Sequence, residues 1–227
     1  MNLTFRALRG AVIAAAASLA LASCVSAPEA PAAPAAASVA MPAAEPEAIA
    51  EAAPAPLDVP PLIAEALAAL EAHAPYVQHR DKIGVVDFSL PSREPRFHVV
   101  DVATGKIERS WLVAHGSGSD PAGTGIVQKF SNQPGSNASS RGAYLTAETY
   151  VGQHGRSQRL IGLDADNNMA FNRAIVIHGA DYVDPSLIAR QGRIGRSQGC
   201  FAFDEDEVAE VMALLGEGRL IYAGMAA

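Results

Sequence analysis

Two segments of the chain bring together residue types suited to nucleophilic chemistry. One is Ala174-Ile-Val-Ile-His178-Gly179. The other, ending 22 residues after the histidine, is Gly195-Arg196-Ser197-Gln198-Gly199-Cys200. A hydrophobic strand would deliver His178 at its carboxyl end, and a glycine-framed turn would present Cys200 beside it. Glycines flanking a nucleophile let the backbone turn sharply and let a substrate carbonyl come close. The chemistry of such a pair is acyl transfer: a thiolate attacks a carbonyl, a base removes the thiol proton, and N–H donors hold the oxyanion. His178 is the candidate base, and the consecutive amides of Gln198, Gly199 and Cys200 are the expected donors. From Arg190 to Phe203 there are three arginines (190, 193 and 196) and no acid, a setting that favours a thiolate. Arg196, four residues before the cysteine, is the one assigned to the site; Arg190 and Arg193 read as a solvated helix face. No HxxxH or CxxC pair exists, so the expectation is chemistry without a metal or cofactor.

The elements that must position this pair are mostly strands. Lys82 to Phe88, Arg96 to Val102, Lys106 to Ala114, Ala143 to Tyr150, Arg159 to Leu163, Arg173 to Ile177 and Arg219 to Ala223 carry strand composition. Ala103-Thr104-Gly105 predicts a hairpin between the second and third. A first helix is expected after Asp58 as its cap, with Leu62, Ala66, Leu67 and Leu70 facing inward. A second is expected from Asp204, with Glu207 completing a capping box and Val208, Val211, Met212 and Leu215 buried. The segment from His115 to Arg141, rich in Gly, Ser, Asn and Pro, is long enough that it should line or cover a site. His154 lies in a Gly-rich turn, where it is expected to touch substrate and is the fallback base. Tyr182, beside the His-Gly-Ala turn, is a cleft candidate, whereas Trp111 reads as core.

Composition bounds the rest. The chain has 227 residues, 17 basic and 24 acidic, for a net charge of −7, and shows no basic stripe that would suit a nucleic acid. Residues 1–23 read as a signal peptide: Arg6 and Arg9 precede an apolar run from Gly10 to Ala22, about 13 residues and too short to span a bilayer. Leu21-Ala22-Ser23-Cys24 resembles a bacterial lipobox, which makes Cys24 the expected lipidation site and, with Val25 rather than Asp following, points to the periplasmic leaflet of the outer membrane. Residues 24–57 form the lipidated cysteine and a tether: of the 33 residues from Val25 to Leu57, 15 are Ala and seven are Pro, a composition that cannot build a core. The chain has two cysteines, so with Cys24 lipidated Cys200 has no disulfide partner. Residues 58–227 remain as one domain of ordinary size, expected to be mixed α+β and mainly β.

Taken together, His178 to Tyr182, Gly195 to Cys200, Ala114-His115-Gly116 and Gly152-Gln-His154-Gly155 resemble the L,D-transpeptidase (YkuD-like) family, and most closely its murein L,D-transpeptidase catalytic-domain subfamily. The resemblance runs from about Gly84 to Tyr222. It implies a β-sandwich with short flanking helices and a cysteine enzyme acting on peptidoglycan peptide stems. Cys200 would form a thioester with a tetrapeptide stem, expelling D-Ala, and pass it to an amine or to water. His178 would be the base, oriented by the carbonyl of Gly179, with Arg196 and Ser197 near the substrate. Two departures stand out. Gln198 occupies a position that is His in most of the family, and Phe201-Ala202-Phe203 replaces a usual Ile-Arg-Leu, removing a common arginine.

Overall fold

The computed structural model describes residues 58–226. The expected signal peptide, Cys24 and tether, as well as Ala227, lie outside the described residues. Central to the domain is β1 (Lys82–Asp87), whose four middle residues are all buried. A strand covered on both faces reads as a continuous apolar run, as Ile83 to Val86 do around one glycine. β1 pairs antiparallel with β2 (Phe97–Asp101) and parallel with β8 (Leu220–Gly224). Beyond β2 lies β3 (Ile107–Trp111), joined to it through the predicted hairpin, in which Gly105 takes a positive φ of 67°. On the other side follow β4 (Gly142–Gly152), β5 (Gly155–Gly162), β6 (Val176–Gly179) and β7 (Phe201–Phe203). The order is β3-β2-β1-β8-β4-β5-β6-β7 in one mixed sheet.

The sheet curls until its two ends meet. Ala114 N–H donates to the Ala202 carbonyl at 2.9 Å, linking the segment after β3 to β7. Inside the curl, Phe97 of β2 meets Phe203 of β7 edge to face at 4.8 Å. Tyr144 likewise meets Phe201 at 5.3 Å. Side chains from all eight strands share this inner core, Trp111 among them. The mainly-β fold with short helices thus has facing layers built from a single ladder. β7 is absent from the sequence expectations because three residues are too few to show a period.

The helices close the open surfaces. α1 (Pro61–Ala72) lays Leu62, Ile63, Ala66 and Leu70 on the outer face of the sheet against Ile83, Val85, Val100 and Leu220. Leu67 is only half-buried, and Asp58 is not the cap: Pro60 holds that position without a side-chain hydrogen bond. α2 (Ser186–Gln191) is one short turn-and-a-half, and α3 (Val208–Leu215) sends all four predicted residues into the inner core. The expected capping box at its start does not form. The Asp204 carboxylate accepts from the Asp206 N–H at 2.9 Å, while its backbone carbonyl accepts from Glu207 and Val208. A separate turn therefore precedes the helix, and Glu207 becomes the N-cap.

One shift bears on function. The expected strand from Arg173 begins only at Val176, because residues 171–174 form a turn in which Ala174 adopts a φ of 54°. Arg173 and Ala174 are thereby lifted out of the sheet towards Cys200.

Candidate active site

His178 is the third residue of β6, and its parallel partner on β7 is Ala202. This register sets Cys200 two residues upstream of the partner, just before β7 begins. Both side chains line one cleft of about 650 Å³, together with Tyr150, His154, Arg173, Ala174, Tyr182, Arg196, Ser197 and Gln198. Part of its wall is Pro134, Gly135 and Asn137, so the long Gly/Ser/Asn-rich segment does border the site as its composition predicts.

His178 is buried, and its Nδ1 lies 2.8 Å from the Gly179 carbonyl. A carbonyl can only accept, so Nδ1 carries the proton and Nε2 is left with its lone pair. Burial lowers the imidazole's pKa; the Gly179 bond opposes this, and His154 adds to the lowering. The ring of His154, at the β4–β5 turn, stacks on His178 with centroids 4.3 Å apart. His178 is accordingly neutral near pH 7, the state a base needs.

The Cys200 thiol is half-buried and donates to the Ala174 carbonyl at 3.5 Å. Burial raises its pKa; the Val176 backbone N–H and the charge of Arg173 pull it back. With the thiol raised and the imidazole lowered, the resting pair is thiol and neutral imidazole. The proton must then move during attack rather than before it.

The turn before Cys200 is built from its own polar groups. Ser197 is buried, and its hydroxyl donates to the Cys200 carbonyl at 2.8 Å while accepting from the Gly199 N–H at 3.1 Å. Ser197 thus braces the turn while lining the cleft, and the Gly199 amide, one of the three expected oxyanion donors, is engaged by the Ser197 hydroxyl. Ser197 is also stitched to the segment after β3: its N–H donates to the His115 carbonyl at 2.9 Å, and its carbonyl accepts from Ser117 at 2.8 Å. Gly199 has a φ of 113°, and a Cβ there would sit 2.6 Å from the Ala138 carbonyl oxygen, so only glycine fits.

Arg196 lines the cleft, with its guanidinium donating to the Asp120 carbonyl. Tyr182 stands in a 3-10 turn, Asp181–Val183, packed on Gly195, whose N–H donates to the Tyr182 carbonyl at 2.6 Å; burial pushes its phenol up to about 12. Beneath the turn lies a polar cluster that sequence reading did not assemble. Arg96, His115 and Asp120 are all fully buried, and Arg96 Nη2 donates to His115 Nδ1 at 2.7 Å. Arg173 was missed as well, because it precedes a hydrophobic run and looks like an ordinary strand end. Among the described residues no group of three His, Cys, Asp or Glu is arranged to hold a metal.

Fold and cleft together define a mainly-β domain carrying a histidine on one strand and a cysteine just before the parallel strand beside it. Residues 59–223 match the family model described as the L,D-transpeptidase catalytic domain, and the chain belongs to that family. Members are typically cysteine enzymes. Similar solved structures include an L,D-transpeptidase from Mycobacterium smegmatis (15% identity, 63% of this chain and 58% of that one, TM-score 0.38). Another is the L,D-transpeptidase of Xylanimonas cellulosilytica (15% identity, 69% and 68% covered, TM-score 0.37). A third is L,D-transpeptidase 3 from Mycobacterium tuberculosis in complex with a faropenem-derived adduct (12% identity, 63% and 60% covered, TM-score 0.38). This chain spans less than two thirds of the length of most of these structures: 59% of the chain of the LD transpeptidase solved with imipenem and 58% of the M. smegmatis chain. No curated protein matched.

Proposed function

We propose that this chain is a peptidoglycan L,D-transpeptidase that forms a Cys200 thioester with a tetrapeptide stem and transfers it to an amine. The observation that carries the reading is the His178–Gly179 hydrogen bond, which fixes the tautomer so that Nε2 accepts a proton in the cleft that Cys200 shares. Sγ attacks the carbonyl carbon of diaminopimelate as His178 takes the thiol proton. The amides of Gln198 and Cys200 receive the oxyanion. When the carbonyl re-forms, the C–N bond to the terminal D-Ala breaks and His178 returns the proton to the leaving amine. An amine of a second stem then attacks the thioester and gives a proton to His178; a new C–N bond forms, the C–S bond breaks, and His178 returns the proton to the Cys200 sulfur. Arg196 supplies positive charge for a stem carboxylate, and His154 and Tyr182 border the bound peptide. Acting there requires export, and the proposed setting is the periplasm, with the protein held through lipidated Cys24 on the inner leaflet of the outer membrane.

The test is to incubate isolated cell wall with the protein and resolve the products by mass. Dimers joined between two diaminopimelates, absent with Cys200→Ala, are the expected result. Shortened stems alone would mean that water, not an amine, takes the acyl group, making the protein an L,D-carboxypeptidase. Binding of wall fragments without thiol-dependent turnover would make it a non-enzymatic wall-binding lipoprotein.

A further inference from the structure

The segment just after Cys200, Phe201-Ala202-Phe203, carries no basic residue, so positive charge must be brought by another part of the fold to the thiol. Arg173 reaches it from the turn before β6. Its Nη1 donates to the Ser131 carbonyl at 2.8 Å and to Ser140 Oγ at 2.6 Å, and its Nη2 donates to the Ala138 carbonyl at 2.5 Å. The same Nη2 is 3.0 Å from where a Cβ of Gly199 would stand, so the guanidinium lies against the backbone of the residue preceding the thiol. Its chain neighbour Ala174, with a φ of 54°, turns its carbonyl to the Cys200 Sγ. Both residues line the cleft, and the segment that Arg173 grips includes the wall formed by Pro134, Gly135 and Asn137.

We propose that Arg173 is the positioning residue that sets the reactivity of Cys200, holding a permanent positive charge beside the thiol while bracing residues 131–140 as the cleft wall. The proposal rests on Cys200 as the nucleophile. Its partners on the 131–140 segment are neutral oxygens, so the arginine is held in place without a counter-charge from them, and its field is free to act on the thiolate. The other titratable groups around the cleft do less. His178 is neutral, and His154 stacks on it. Tyr182, with its pKa pushed up, remains a neutral phenol. Arg196 is the other permanent charge, and it is turned to the Asp120 carbonyl and packed on Gly123.

The experiment measures the rate of iodoacetamide alkylation of Cys200 against pH in the full chain, read by mass on the peptide bearing Cys200 so that Cys24 does not contribute. Arg173→Gln is expected to raise the midpoint by about one pH unit and to slow alkylation at pH 7 about tenfold. Arg173→Lys, which keeps charge but loses most of the brace, is expected to stay within about half a unit of wild type. An unchanged midpoint in a folded Arg173→Gln protein, checked by thermal melting, overturns the proposal and leaves Arg173 a brace alone. If that variant does not fold, Arg173→Lys decides, and a rise of half a unit or more overturns it. Alkylation needs only a thiol, so an Arg173-dependent midpoint in a protein with no acyl transfer would sink the transpeptidase reading and leave this one standing.

Discussion

A histidine becomes a base only if something fixes which nitrogen carries its proton, and at His178 the Gly179 carbonyl does so at 2.8 Å. His178→Ala should therefore slow acylation of Cys200 by a carbapenem at least ~100-fold, the lower range for a lost general base. Gln198→Ala should be mild, because the proposed mechanism uses only its backbone N–H; melting curves check that both variants fold. Full loss in His154→Ala beside near-normal acylation in His178→Ala would transfer the role to His154, whose ring lies 4.3 Å away. The pH dependence follows from sign. His178 is lowered from its ordinary value, so wild-type acylation should persist as pH falls below about 6.5 and be lost only once the imidazole protonates. These two residues were legible in the sequence because each sits in a local signal, a hydrophobic run ending in His-Gly and a glycine-framed cysteine. Arg173 was not. Its partners lie 33 to 42 residues away, and its placement depends on an alanine with positive φ, which no turn signal announces.

Strands were read from composition and hairpin turns, and the seven expected ones exist with ends shifted by a few residues. What composition could not give was β7, or the closure of the sheet through Ala114 and Ala202, since long-range pairing leaves no periodic mark. Both expected caps failed, for different reasons: at Asp204 the carboxylate takes the nearer Asp206 N–H, whereas α1 begins three residues beyond Asp58, with Pro60 at the cap position. The turn between β6 and β7 is the element most dependent on backbone shape. At Gly199 a side chain would meet the Ala138 carbonyl and require a φ of 113° from an L residue. Gly199→Ala should cost about 1–3 kcal/mol of stability. It should also slow Cys200 acylation more than its loss of folded protein explains, because Ser197 and Cys200 share the displaced turn. Melting temperature and acylation rate measured on the same preparation separate the two effects. Normal acylation in the folded fraction would show that the turn does not position the thiol.

At the scale of the whole chain, anchoring and acid response are separate questions. Cys24→Ala should block lipidation and leave the protein uncleaved or released from the membrane fraction; processing and fractionation like wild type would refute the anchor. The acid response belongs to the described domain and comes from its buried cluster. His115 accepts from Arg96 and is fully buried; its Nε2 faces Asp120 Oδ2 at 3.4 Å, outside hydrogen-bond geometry. Burial, and then the charge of Arg96, push its pKa down to about 4. In the unfolded chain the same imidazole titrates near 6.5. Between these values the unfolded state binds the proton more readily, so this contribution is complete above about pH 6.5 and disappears as pH falls towards 4. The span corresponds to about 3 kcal/mol at most, and to roughly 6–12 °C in Tm for a domain of this size. Asp120 acts in the same direction at lower pH: burial raises its carboxyl, but the amides of Thr124 and Gly125 and the Thr124 hydroxyl together hold it below its ordinary value. His115→Gln, which cannot take up a proton in this range, should lower Tm at pH 7 yet make its decline towards pH 4 shallower than in wild type. Melting curves by near-ultraviolet circular dichroism at pH 7, 6, 5 and 4 would measure both. Parallel slopes in the two proteins would assign the acid sensitivity to groups other than His115.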